Sequence, residues 1–228
     1  MFNFDQYQRI FANLDLFVDG LLVTFKVALL GLILALILGI IFGVMSCSEV
    51  KILKAISRVY VEFFQNTPLL VQVFFIYNVL PLVNVVLSVE MCGIVGVGIY
   101  HGAYISEVVR TGIMAIDKGQ SEAAMSQGFS TIQTMRYIIL PQAIRIILPP
   151  LTNQAVNLIK NTSILAIIAG GDLMYQADSF SSTYLIYVPV YLFTGLLYFI
   201  LCFPLTTLSR WLEEKSKQGY AKSSIEVG

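Results

Sequence analysis

Gly20-Leu-Leu-Val-Thr-Phe-Lys26-Val-Ala-Leu-Leu-Gly-Leu-Ile-Leu-Ala-Leu-Ile-Leu-Gly-Ile-Ile-Phe-Gly-Val-Met45 is an apolar run broken by a single charge, Lys26. A helix needs roughly 20 mostly apolar residues to cross a bilayer, so this run predicts a membrane span. Four more runs of the same kind follow: residues 59–82 with Pro68, 91–113 with His101 and Glu107, 147–170 with Lys160, and 184–208. The chain therefore reads as an all-α membrane protein of five transmembrane helices. At 228 residues, 57% hydrophobic, 12% charged and mean hydropathy +0.79, it does not fit a soluble domain.

Charge excludes other classes. Net charge is zero, so there is no basic field to bind nucleic acid. Cys47, Cys92 and Cys202 are far apart in apolar surroundings, without a Cys-x-x-Cys pair, so neither a metal site nor a redox pair is expected. Residues 1–19 carry Asp5, Asp15 and Asp19 against Arg9 and lack the basic start of a cleavable signal. Tyr7, Ile10, Phe11, Leu14, Phe17 and Val18 recur at helical spacing, which predicts an amphipathic helix on the membrane surface. Residues 20–210 then form the five-span domain, and 211–228 a cytoplasmic tail.

The remaining charges are sorted by side. Lys51, Lys54 and Arg58 follow the first span, Lys118, Arg136 and Arg145 the third, and Arg210, Lys215, Lys217 and Lys222 the fifth. Between spans two and three stands only Glu90; between four and five stand Asp172 and Asp178. The excess of Lys and Arg on cytoplasmic loops places the C-terminus and the loop after span three in the cytoplasm and the N-terminus outside. An odd count without internal duplication argues against an inverted-repeat secondary transporter.

That cytoplasmic loop, about residues 117–141, has its own grammar. Ser121 reads as an N-cap for a short helix through Glu122, Ala123 and Ala124, with Gly128 as its stop. Ser130 reads as a second N-cap, for a helix ending near Pro141. A merely solvated connector is the competing reading.

Glu122-Ala-Ala, three residues, Gly128, nine residues, Ile138-Ile-Leu140-Pro141 is a spacing that resembles the cytoplasmic "EAA" loop of bacterial ATP-binding-cassette importer permeases. Asn66-Thr67-Pro68, Tyr104-Ile-Ser106-Glu107, and Leu140-Pro141-Gln142-Ala-Ile-Arg145 with Pro149-Pro150 and Asn153 are similar to the polar amino acid branch, over about residues 15–215. The resemblance implies a bacterial inner-membrane, multi-pass permease subunit. It implies pairing with a second copy or a similar permease and with two ATP-binding subunits, and loading by an extracytoplasmic amino acid binding protein. It makes Ser121, Glu122, Ala123, Ala124 and Gly128 the coupling helix that an ATPase grips. No Gly-x-x-x-x-Gly-Lys-Ser/Thr loop occurs, so the chain is not itself the enzyme, and ATP and Mg belong on the partner.

Polar groups inside spans are candidates for the substrate path. Lys160, Asn161, Thr162 and Ser163 form one such cluster, suited to a carboxylate and hydrogen bonds of an amino acid. Glu107 lies three residues before Arg110, as a structural pair or as part of the path. His101 reads as a histidine packed against a neighbouring helix. Relatives often carry Asp at position 161; Asn161 removes that charge and favours an acidic or neutral polar amino acid. They often carry Arg at 65, where this chain has Gln65. Asn66-Thr67-Pro68 reads as a helix start with Pro68 as its first residue, or as a kink. A stand-alone secondary amino acid transporter is the alternative function.

Overall fold

The computed structural model describes residues 4–225, with side chains to Lys215, so the expectations on residues 1–3 and on Lys217 and Lys222 lie outside it. Among the described residues there are helices and no strands. α1 (Phe4–Ala12) leads into α2 (Leu14–Cys47). The expected surface helix is thus split at Asn13, whose side-chain amide donates to Arg9 O (2.8 Å), and residues 14–19 are the first turns of α2. Nor does the whole apolar stripe face lipid. Ile10 and Phe17 are buried, Phe17 edge-on to Phe193 at 5.3 Å between centroids, in a cluster with Phe180, Leu173 and Val190.

α3 (Lys51–Gln65) and α4 (Leu69–Asn78), the latter followed by a 3-10 turn (Leu80–Val83), take the place of the second span. They meet at 97°. The bend follows from Pro68, which lacks an N–H; expected as the first helical residue, it stands instead as N-cap of α4, one position before Leu69. The carbonyls released there are gathered by Gln72, whose Nε2 donates to Phe64 O (3.0 Å), Thr67 O (3.2 Å) and Thr67 Oγ1 (2.8 Å). Arg58, expected in a loop, lies within α3.

α5 (Val89–Met114), capped by Ser88, packs lengthwise on α2. The approach depends on small residues four apart on α2: Gly31, Ala35, Gly39 and Gly43. A Cβ at Gly31 would stand 2.6 Å from Val97 Cγ2, and one at Gly43 2.6 Å from Val109 Cβ. Val97, Ile105 and Val109 fill these grooves and form the main core with Leu158 and Leu165.

α6 (Lys118–Ser126) and α7 (Thr131–Thr134) form the loop, and a π turn (Met135–Ile139) joins α7 to α8 (Leu140–Asn161). The expectation that a helix ends near Pro141 is corrected. Leu140 N–H reaches back to Met135 O, and the extra residue in that turn makes room for the proline ring, so the chain stays helical. α8 contains Pro149 and Pro150, and Ser209 Oγ donates to Pro149 O (3.1 Å). It ends in a 3-10 segment (Thr162–Ile168) where the fourth apolar run had been read as continuous helix. α9 (Leu173–Tyr184) occupies the expected connector to the last helix, α10 (Val188–Ile225). Three helices are long and apolar enough to cross a membrane, Leu14–Cys47, Val89–Met114 and Val188–Lys215, or four when the bent α3–α4 pair is one span.

Candidate functional site

α5 and α8 enclose a cavity of about 240 Å³, lined by Tyr100, His101 and Tyr104 from α5 and Gln154, Asn157, Lys160 and Asn161 from α8. Helical spacing produces the wall. Tyr100 and Tyr104 are one turn apart, and Gln154, Asn157 and Asn161 recur at three and four residues. His101 joins the two helices. Its Nε2 accepts from Asn161 Nδ2 (3.0 Å), and its Nδ1 stands 3.3 Å from Gln154 Oε1. With Nε2 accepting, Nδ1 carries the proton and donates to that oxygen, a neutral tautomer fixed by two amides. Tyr100 and Tyr104 hydroxyls lie 3.2 Å apart.

No carboxylate lines this cavity, and Lys160 is its one formal charge. The wall suits a small ligand with a carboxylate for Lys160, a cationic group for the tyrosine faces, and a polar neutral end for the amides. The volume is below the roughly 300–1,000 Å³ of drug-sized sites. Among the described residues no group of three or more His, Cys, Asp or Glu is placed to hold a metal.

The structure separates the sequence candidates. Lys160 and Asn161 reach the cavity. Thr162 is fully buried and donates to Ile159 O (2.7 Å), while Ser163 donates to Lys160 O (2.8 Å), so both hydroxyls close the end of α8. Glu107 is held by Arg110, whose Nε donates to Oε2 (2.9 Å) and whose Nη2 donates to Oε1, and it does not line the cavity. His101, read as a histidine packed against a neighbouring helix, is buried against α8 as expected, and it also lines the cavity. Tyr100, Tyr104, Gln154 and Asn157 escaped the reading, although the Gln154-x-x-Asn157-x-x-Lys160-Asn161 period was a usable signal.

α6 is a second, separate candidate. Its N-cap is Asp117, which accepts from Gly119 N–H (2.7 Å); Ser121 lies inside the helix, because an equally good cap stands a turn earlier. Gly128, at φ +89°, stands just past the end of α6. Its N–H donates to Met125 O (3.0 Å) and Phe129 N–H donates to Ala124 O (3.1 Å), the paired bonds of a Schellman stop. Ala124 is buried, while Glu122, Ala123 and Met125 are exposed.

Residues 23–218 match the family described as the inner membrane component of binding-protein-dependent transport systems. The chain belongs to this family. It is the membrane subunit of an importer complex whose ATPase is a separate subunit. This permease is 42% identical over 211 residues to the probable glutamine ABC transporter permease protein GlnM of Bacillus subtilis, covering 92% of the chain and 98% of the relative. It is 36% identical to the probable glutamine permease protein GlnP of the same organism, over 86% of the chain and 91% of the relative. The permease also superposes on a crystal structure of an amino acid ABC transporter with histidines, with TM-score 0.86 and 32% identity, covering 94% of the chain and 99% of that one. Likeness to the MetNI methionine transporter, with TM-score 0.66, 16% identity and coverage of 90% and 98%, concerns the fold alone.

Proposed function

We propose that this permease carries a neutral polar amino acid of the amide type through the cavity between α5 and α8. The observation that carries this is a wall with one cation and three amides but no carboxylate. Lys160 meets the substrate carboxylate, the faces of Tyr100 and Tyr104 meet its ammonium, and Gln154, Asn157 and Asn161 pair with a side-chain amide. The related permeases named for glutamine agree with this choice. Within the acidic or neutral class expected from Asn161, an amide matches a wall of amides better than a second carboxylate does. In this reading Thr162, Ser163 and Glu107 support the path without touching the substrate.

The chain crosses the membrane five times, N-terminus outside and C-terminus in the cytoplasm. α8, at 22 residues, is about 33 Å long at 1.5 Å per residue, enough to span; its modest apolarity reflects the polar face it turns to the cavity. Residues 1–19 approach the bilayer from outside, 20–210 are the transport domain, and 211–228 are a cytoplasmic tail. Two ATP-binding subunits, holding ATP and Mg, grip α6 through the exposed Glu122 and Ala123, while buried Ala124 seats α6 on its own subunit, and a second permease, identical or similar, completes the pathway. An extracytoplasmic binding protein delivers the substrate.

Proteoliposomes containing the whole complex provide the test. Glutamine is expected to stimulate ATP hydrolysis and to be taken up, and arginine is not. Lys160→Met is expected to reduce uptake at least about tenfold, the loss of roughly one charge-assisted hydrogen bond, while basal ATP hydrolysis remains. Full uptake by this variant, or transport of arginine alone, would remove the assignment.

A further inference from the structure

α3 has three faces rather than the two of an ordinary surface helix. One face packs on the bundle: Ser57 Oγ donates to Phe42 O (2.7 Å), Tyr60 stacks on Phe42 at 4.0 Å and donates to Ile99 O (2.7 Å). A second is apolar and exposed, formed by Ile52, Ile56, Val59 and Phe63. The third is polar, with Lys51, Lys54, Arg58 and Glu62 exposed and Gln65 half-buried, at helical spacing.

These contacts also fix depth. Ser57 is level with Phe42, near the end of α2, and the Tyr60 hydroxyl lies against Gly102 and Leu38, further into the apolar run. α3 therefore climbs from the cytoplasmic end of α2 toward the middle of the bilayer. Arg58 Nε donates to Glu62 Oε1 (2.6 Å) at that depth, yet their side chains are 77% and 58% exposed. A charge pair there cannot face hydrocarbon without a cost of several kcal/mol. At the upper end Gln65 Nε2 donates to Ala103 O (3.2 Å), on the stretch of α5 that also carries His101 and Tyr104. The polar stripe is thus a track from the cytoplasmic end of α3 to the middle of α5, the helix that carries the cavity's tyrosines.

The geometry points to this stripe as the wall of a water-filled vestibule open to the cytoplasm. Arg58 and Glu62 form a way station in it for the zwitterionic head group of an amino acid leaving the cavity. Arg58 takes the carboxylate and Glu62 the ammonium, exchanging their mutual pair for two pairs with the ligand. The apolar stripe beside it faces lipid or protein. The inference rests on the permease reading and its topology, but it concerns residues outside the cavity.

The test is thiol accessibility in the assembled transporter, in inside-out vesicles, on a background with Cys47, Cys92 and Cys202 replaced by serine. Arg58→Cys, Glu62→Cys and Lys54→Cys are compared with Val59→Cys and Ile56→Cys, using a membrane-impermeant sulfonated thiol reagent. Only the thiolate reacts, and apolar surroundings raise a thiol pKa, each unit being about tenfold in thiolate. The polar-stripe thiols are expected to react at least about tenfold faster than the apolar-stripe thiols. Saturating glutamine is expected to slow Glu62→Cys, where Arg58 remains to hold a carboxylate, and n-butylamine is not. Equal rates on the two stripes, or reaction only from the outer side, overturn the vestibule. Fast reaction that glutamine leaves unchanged overturns the zwitterion station. Lys54→Cys tests the track even if the deeper variants fail to assemble. The rate ratio does not depend on which amino acid is carried, so a wrong substrate leaves the vestibule standing.

Discussion

Asp172 is the fully buried carboxylate at the start of α9. Its Oδ2 accepts from Met174 N–H (3.1 Å), its Oδ1 has no partner, and the next N–H, of Leu173, goes to Thr24 Oγ1 (3.0 Å). Burial pushes its carboxyl up to about 6, against backbone N–H groups of Met174 and Tyr175 that pull it down. The folded state therefore keeps a proton that the unfolded state releases at the ordinary carboxylate pKa. Between that value and about pH 6 the folded state binds more protons, so stability falls as pH rises through this window and is level above it. Asp172→Asn keeps a cap oxygen and removes the ionisation. Its Tm at pH 8 is expected to exceed that of the parent by about 2–4 °C, for a gain of about 1 kcal/mol, with the difference closing toward pH 4. A lower Tm at pH 8 would mean that the charge has a counter-charge after all.

At the scale of the element, α6 depends on how it stops. Gly128 sits at φ +89°, where a side chain costs roughly 1–2 kcal/mol. Gly128→Leu should leave the spans inserted but turn the exposed Glu122 and Met125 away from their direction. ATP hydrolysis by the complex is then expected to lose its stimulation by substrate; unaltered stimulation would show that α6 does not couple. The Gly128 stop and the Ser130 N-cap were legible in the sequence because such caps are local, set by residues within a turn of one another; the structure adds Gln133, which completes a capping box with Ser130. The breaks were less legible. Hydropathy saw residues 59–82 as one run; Asn66-Thr67-Pro68 was readable as a helix start or a kink, but that Gln72 holds the bend emerges only from the fold. Likewise 147–170 hid the change from α8 to 3-10 turn, and the cavity was half-seen: Lys160 stood out by its charge, whereas His101, Gln154 and Asn157 acquire meaning only when α5 lies against α8.

For the molecule as a whole, the α2–α5 seam holds the bundle together. Gly43 faces Val109 Cβ, Val109 Cγ1 and Ser106 O within 2.6–2.9 Å of where a Cβ would stand. Gly43→Leu should wedge the helices apart at a cost of about 1–3 kcal/mol. A Tm lower by about 5 °C or more in detergent is the expected reading for a chain of this size, and an unchanged Tm would mean the seam is not close-packed in the membrane. The two sides of this seam differ in their standing toward lipid. The most apolar 18 residues of α2 have mean hydropathy 3.0 and are one-third buried, whereas those of α5 have 1.3 and are two-thirds buried. α2 leaves the ribosome before α5, and its length and apolarity suffice for it to partition into a bilayer as a single helix. α5 follows as a marginal helix and is retained by the grooves that α2 already offers. The glycines of α2 thus act twice, as a packing surface in the finished permease and as a docking template that makes membrane insertion of the chain sequential.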